Sequence, residues 1–350
     1  GHANVTVSPY SVMNALAMTA NGATGKTALE FRRVLADGAS MAVLNKTLSW
    51  YNGKLVNSSK ARLRNANALW YHNDGSIKMK KTFLKACKKY YSATASAADF
   101  SDSATVSAIN DWVSTMTNGM IKRVVAQLNP SERIALVNAL YFEGKWKAPF
   151  DKGDVLESTF TTSRGTAKTV DMMYGQEYSY IEGKGVCGFV KPYAKGYSYV
   201  ALLPDEGVSL KRFVASLNGT KFRSLVLHAT SETVHIGLPK YTVAYTNDSM
   251  QDQLAAMGIK RAFAENANLS KMASVSQGSL SLSRVVHKTK VRVDENGTKA
   301  AAVTAVMVKN TSIGIGEVKT VILNRPFVYA IIDNTAKLPL FIGTVNSIGK

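Results

Sequence analysis

The chain has 350 residues, 46% of them hydrophobic, with 8 prolines and no low-complexity run, so it can build a sizeable core and is not a disordered protein. That length fits one large domain as well as two. Lysine and arginine number 43 against 24 aspartates and glutamates, and the formal charge of +19 favours acidic or polyanionic partners.

No stretch approaches about 18 consecutive apolar residues, so no membrane span is expected. The opening residues, Gly1-His2-Ala3-Asn4, lack the charged-then-apolar layout of a signal peptide. The chain begins without Met and runs at once into strand-like Asn4-Val5-Thr6-Val7, so an upstream segment, with any export signal, is expected to be missing. Cys87 and Cys187 lie in apolar surroundings without metal-ligand spacing and read as free thiols.

Ser8-Pro9-Tyr10-Ser11 precedes an apolar segment, Val12 to Met18, which reads as a capped, buried helix, and Thr27 to Leu35 reads as a second. Ala61 to Tyr71 suggests a strand and Lys81 to Tyr91 a helix with Phe83, Leu84 and Cys87 inward. From Ala104 to Val125, apolar residues recur at three- and four-residue steps, which predicts one long helix. Ile134 to Phe142 is a nearly continuous apolar run, as in a central strand buried on both faces. Beyond Tyr199 strands dominate: Tyr199–Leu203, Thr233–Leu238, Phe327–Ile332 and Leu340–Val345, with Met250 to Met257 the one clear helix. Helices early and strands late favour an α+β fold, and there is no internal repeat.

Gly22-Ala23-Thr24-Gly25-Lys26-Thr27 imitates a phosphate-binding loop, but it has two residues between its glycines instead of four and follows a helix, so it reads as a helix-to-helix turn. There is no Gly-x-Ser-x-Gly elbow, no His-Glu-x-x-His and no dinucleotide fingerprint, and the five histidines are scattered. The chain does not read as an enzyme, and neither a metal nor another cofactor is expected. Lys78, Lys80, Lys81, Lys85, Lys88 and Lys89 form a basic cluster, either a polyanion-binding patch or a solvated helix face.

The most unusual stretch runs from Asp294 to Gly316. Its first part is small and β-branched; its second is polar and contains glycine. Read as a strand, Thr298, Ala300, Ala302, Thr304 and Val306 share one uncharged face, and Lys299 and Met307 lie on the other, wetted one. Such a segment could become a central strand, or it could be an edge strand and hairpin.

At this point the sequence resembles a family, the serpins, over nearly its whole length. Gly297-Thr298 followed by Ala300-Ala301-Ala302, with Glu295 before it, looks like the hinge of an inhibitory serpin. Ser8-Pro9-Tyr10-Ser11 is similar to the family's Ser-Pro-x-Ser helix start, and Val137 to Trp146 to its Asn-Ala-x-Tyr-Phe-x-Gly-x-Trp strand. His287-Lys288, Leu203-Pro204, Leu238-Pro239-Lys240, Asn324-Arg325-Pro326-Phe327 and Phe341-Ile342-Gly343 complete the pattern in order.

The resemblance implies a single α+β serpin domain over residues 1–350. It would have a large mixed central sheet, further sheets, about eight or nine helices and an exposed reactive-centre loop over about 295–320. The family's first helix has no counterpart, so the chain looks truncated or processed. Ser8, Ser11, Asn138 and His287 match the shutter under the main sheet; Gly144 and Trp146 match the breach, where the hinge (Glu295, Gly297, Thr298, Ala300, Ala301, Ala302 and Thr304) enters first. The helix from Ala104 matches the one that crosses the sheet.

The implied activity is inhibition of a serine protease by a monomer. The protease forms an acyl-enzyme with the loop, and the freed strand then inserts and carries the protease along. From Thr298 to Thr311 there are 13 steps of about 3.3 Å, a reach of roughly 43 Å. Family spacing from the hinge puts the attacked bond at Thr311-Ser312, while counting back from Pro326 points nearer Ile315. Val308, Lys309 and Ile313 therefore also stay in the set. Thr311 or Val308 would suit an elastase-like pocket and Lys309 a trypsin-like one, and the elastase-like reading is favoured. A binding or carrier serpin whose loop never inserts is the alternative. Action outside the cell or at its surface is expected. Asn296-Gly297-Thr298 and Asn310-Thr311-Ser312 are glycosylation sequons in the hinge and bait, which fits a non-glycosylating, prokaryotic source.

Overall fold

The structure is a computed structural model that describes residues 2–247, 250–276, 278–298 and 318–349. The first strand, β1 (Val5–Val7), leads into helix α1 (Pro9–Ala20). Ser8 caps α1 by accepting the Ser11 amide at 3.1 Å, and Pro9 stands in the first turn, where its missing N–H leaves no bond unmade. Helices α2 (Gly25–Ala36) and α3 (Met41–Lys54) follow, with Gly22-Ala23-Thr24 as the turn between α1 and α2. Next come β2 (Ala61–His72), β3 (Ile77–Met79), α4 (Lys81–Tyr91), β4 (Thr94–Ala98), α5 (Ser103–Met116) and β5 (Ile134–Lys145). The middle of the chain forms β6 (Val155–Thr161), β7 (Ala167–Glu177), β8 (Tyr180–Gly183), β9 (Val186–Pro192) and β10 (Tyr197–Pro204). The rest comprises α6 (Leu210–Ser216), α7 (Gly219–Leu227), β11 (Val234–Pro239), β12 (Tyr241–Asn247), α8 (Gln251–Met257), β13 (Ala273–Val275), β14 (Arg284–Asp294), β15 (Gly297–Thr298), β16 (Lys319–Ile322), β17 (Phe327–Asp333) and β18 (Pro339–Val345).

Three large sheets result. The main sheet runs β12-β14-β15-β5-β2-β4 and is mixed: β14 pairs parallel to β5, and β15 antiparallel to both. A second sheet runs β1-β18-β17-β10-β9-β8 and a third β16-β11-β7-β6. Between the main and second sheets lies an aromatic-rich core in which Phe142, Tyr197, Tyr199, Tyr241 and Tyr329 meet. Helices α1 to α4 pack against the lower half of the main sheet through Leu16, Phe31, Phe83 and Leu136, and α6 and α7 cover the second sheet through Phe213 and Phe222.

Two expectations need correction. The helix from Ala104 ends at Met116 instead of running to Val125. Thr117 Oγ1 bonds back to the Val113 carbonyl at 2.8 Å and takes the Ile121 amide at 3.0 Å, and Asn118 and Gly119 adopt φ values of 52° and 73°. Ile121, Val124 and Val125 still pack beside Ile109 and Val113, so the apolar spacing continues where the helix does not. Met250 to Met257 is also not the one helix beyond Tyr199: α6 and α7 lie there too, each too short for a periodic pattern to stand out.

The feature that positions the site is a partial split in the main sheet. At its lower end β14 and β5 pair directly, from Arg284–Ala135 to Lys288–Ala139. At its upper end they part, and β15 fills the gap, with Thr298 between Val293 and Gly144. His287 faces Asn138; six residues on along each strand, Val293 and Gly144 share a row again. The strands have moved apart sideways without slipping in register.

Candidate functional site

Below the split lies a buried polar cluster. The Ser8 amide donates to His287 Nε2 at 3.0 Å. The Ser11 hydroxyl donates to Asn138 Oδ1 and shares its proton with Asn65 Oδ1. Asn138 Nδ2 donates to Asn67 Oδ1 at 2.6 Å. All four residues singled out from sequence are buried, and the cluster ties α1 to β2, β5 and β14. Burial pushes His287 down to about 4, so its imidazole is neutral; with Nε2 accepting, the proton sits on Nδ1, which is buried and has no partner among the described residues.

Above the split, the hinge is held by backbone and ring contacts. Trp146 donates its indole N–H to the Asp294 carbonyl at 2.9 Å and its amide to the Asn296 carbonyl at 3.0 Å, and the Phe150 amide reaches the Glu295 carbonyl at 3.0 Å. Tyr193 stacks on Trp146, with centroids 4.5 Å apart and planes 9° apart, and its hydroxyl lies 2.6 Å from that of Thr298. Glu295 pairs with Lys240 at 2.9 Å. Partial burial raises the Glu295 carboxyl, but the Lys240 bond and charge outweigh it and leave the group below its ordinary range. Gly144 leaves room for Phe142 and Tyr193, which a Cβ would meet at 2.7 and 2.8 Å. Gly297, at φ 152°, lies so close to β5 that a Cβ would stand 2.1 Å from the Gly144 carbonyl oxygen.

The family model "Serpin (serine protease inhibitor)" matches residues 1–348. The chain is a serpin. An uncharacterised serpin-like protein of Thermococcus kodakarensis is 33% identical over 349 residues, 97% of this chain and 80% of that protein. A leukocyte elastase inhibitor of Xenopus tropicalis is 33% identical over 359 residues, 98% of this chain and 93% of that one. Among solved structures, the thermophilic serpin tengpin in its native state superposes with a TM-score of 0.95 at 42% identity, covering 99% of this chain and 89% of that one. The same protein in its latent state gives 0.87 at 40% identity, covering 99% and 92%. This chain is thus nearer in shape to the native form.

The serpin brings Ser8, Ser11, Asn138 and His287 together in one cluster, and Gly144, Trp146, Glu295, Gly297 and Thr298 in another. Ala300, Ala301, Ala302, Thr304, Val308, Lys309, Thr311, Ser312, Ile313 and Ile315 lie outside the described residues. Sequence reading passed over Asn65, Asn67, Tyr193 and Lys191. The two asparagines carried a signal: they stand two apart on the strand face that also carries Ala61, Leu63 and Leu69, which puts two amides among apolar side chains. The six lysines of the basic cluster are all exposed, on α4 and the segment before it. No helix among the described residues is long and apolar enough to cross a membrane.

Proposed function

We propose that this serpin traps serine proteases by inserting its cleaved loop between β14 and β5. The observation that carries the reading is the seat of Thr298 in the opened top of the main sheet, with the strands below in the same register. Continuing that pairing one residue per row would set Ala300 between Val291 and Phe142 and Ala302 between Thr289 and Leu140. Thr304 would come between His287 and Asn138, and Val306 between Val285 and Leu136. Every one of those neighbours is buried, so the inner face of the slot takes small uncharged side chains and rejects charged ones. A Thr304 hydroxyl at that row could accept the His287 Nδ1–H, which is buried without a partner among the described residues.

Among the described residues, the outer face of the slot is wet only in its upper half. On its upper rows, where the proposed pairing would set Lys299, it is bordered by Glu143 and by exposed Arg62, Arg64, Lys290 and Arg292. Lower down, Ala135, Val137, Ala139 and Val286 are covered by α5, which must yield for insertion to finish.

The rows of the slot end where β5 and β14 begin, opposite Val308. A bond just beyond that row, Thr311-Ser312, would leave the protease a short tether; one at Ile315 would leave it slack. The small, β-branched Thr311 supports an elastase-like target. The encounter is proposed to be one monomeric inhibitor with one protease, outside the cell or at its surface, with α4 as a polyanion-binding face.

The test is incubation with neutrophil elastase and, separately, trypsin, followed by denaturing gels and sequencing of the released C-terminal peptide. A covalent complex with a new N-terminus at Ser312 is expected. Cleavage without complex across a wider protease panel would instead favour a binding or carrier serpin.

A further inference from the structure

Beneath the plate that holds the hinge lies a buried charge. Lys191, on β9, is 3% exposed; its Nζ donates to Glu177 Oε1 at 2.6 Å and to the Ala148 carbonyl at 2.9 Å. The same ammonium stands 4.2 Å from the centroid of the Phe150 ring and 5.3 Å from that of Trp146. The ammonium and its partners join three places: β9 in the second sheet, the end of β7 in the third, and the segment that carries the chain out of β5. That last segment supplies the groups that hold the hinge backbone, the Trp146 indole and amide and the Phe150 amide.

A buried ion pair is a poor way to gain stability, since an apolar side chain of similar volume would fill the space without desolvating two charges. Burial lowers the Lys191 ammonium and raises the Glu177 carboxyl, and each partner's charge opposes that drift in the other. What the pair adds is direction. One carboxylate, one carbonyl and two ring faces can all be met by one ammonium in only one arrangement, which fixes Trp146 and Phe150 at their edge-to-face angle of 87°.

We infer that Lys191 is a positioning residue for inhibition: by anchoring the Trp146–Phe150 plate to Glu177 and the Ala148 carbonyl, it sets how readily the hinge begins to insert before the acyl-enzyme is hydrolysed. The inference rests on the trapping mechanism proposed above. With the plate loose, the rows after Thr298 form later, deacylation gains, and more inhibitor is consumed as a mere substrate. The first attack on the bait should be unaffected, because the Lys191 side chain is buried and offers no surface to the protease.

The test uses Lys191→Met and the double variant Lys191→Met/Glu177→Leu, which leaves no stranded carboxylate and so separates positioning from folding. Both are expected to raise the moles of inhibitor consumed per protease trapped at least fivefold, with the rate of bait attack within twofold of the parent. Glu177→Gln, which keeps the ammonium on its carbonyl and rings, is expected to give a smaller rise. Without any protease, amide exchange at 295–298 should quicken at least tenfold in both Lys191 variants while β17 stays protected. A double variant that traps and exchanges like the parent overturns the inference. If the parent itself forms no complex, the trapping reading fails, and the exchange comparison still decides whether Lys191 holds the hinge.

Discussion

His287 shows how much a single buried side chain can settle. Its folded form is held neutral, down to about 4 from 6.5, by burial alone. A depressed folded value means that its contribution to stability is complete above about pH 6.5 and is lost as pH falls towards 4, a change of about 3 kcal/mol. Chemical unfolding followed from pH 7 to 4 should therefore steepen in that window, and His287→Gln should flatten it; an unchanged slope would place the titrating group elsewhere. Thr298 makes the complementary case. It is 2% exposed, with its hydroxyl against that of Tyr193, so Thr298→Arg puts an unpaired charge into the slot's first row. That variant should be cleaved at the bait as fast as the parent yet form at least tenfold less covalent complex. Ser8, Ser11, Asn138 and His287 of the polar cluster were legible in the sequence because each sits in a short family motif, whereas Asn65 and Asn67 sit in none. Tyr193 and Lys191 were not, since their partners Trp146, Thr298 and Glu177 meet them only through the packing of three different sheets.

At the scale of elements, the reading succeeded where burial is uniform. Ile134 to Phe142 is apolar except for Asn138 because both its faces are covered, and β5 lies there. α4 begins and ends where the periodicity of Phe83, Cys87 and Tyr91 says it should. The reading ran long at α5, because Ile121 to Val125 follow the helix back onto the same cluster and keep its spacing after the backbone has turned. That β15 already stands in the sheet was not readable from periodicity: a two-residue strand has no period, and its place depends on two other strands lying apart. On α4, the lysines opposite the buried face form a surface of one charge. Dextran sulfate should bind there at low salt, and Lys81→Ala/Lys85→Ala/Lys88→Ala should weaken binding at least about tenfold and flatten its salt dependence. Equal binding by parent and variant would assign the affinity to the overall charge of +19.

For the whole molecule, the main sheet is a structure stopped part-way. Its upper rows already hold the hinge, its lower rows are closed, and the same register runs through both. The α+β class and the run of family motifs were readable from the chain. How far the sheet had opened was not, because that depends on the balance between direct β14–β5 pairing and a third strand competing for the same edges. The main claim is that the competing strand wins once the loop is cut, gaining ladder bonds on both edges and a buried face of small residues. The most direct measurement is the melting temperature before and after a single proteolytic cut within 299–317, with both fragments still associated. A rise of more than about 10 °C is predicted. A cut protein that melts at or below the temperature of the intact one would contradict the account.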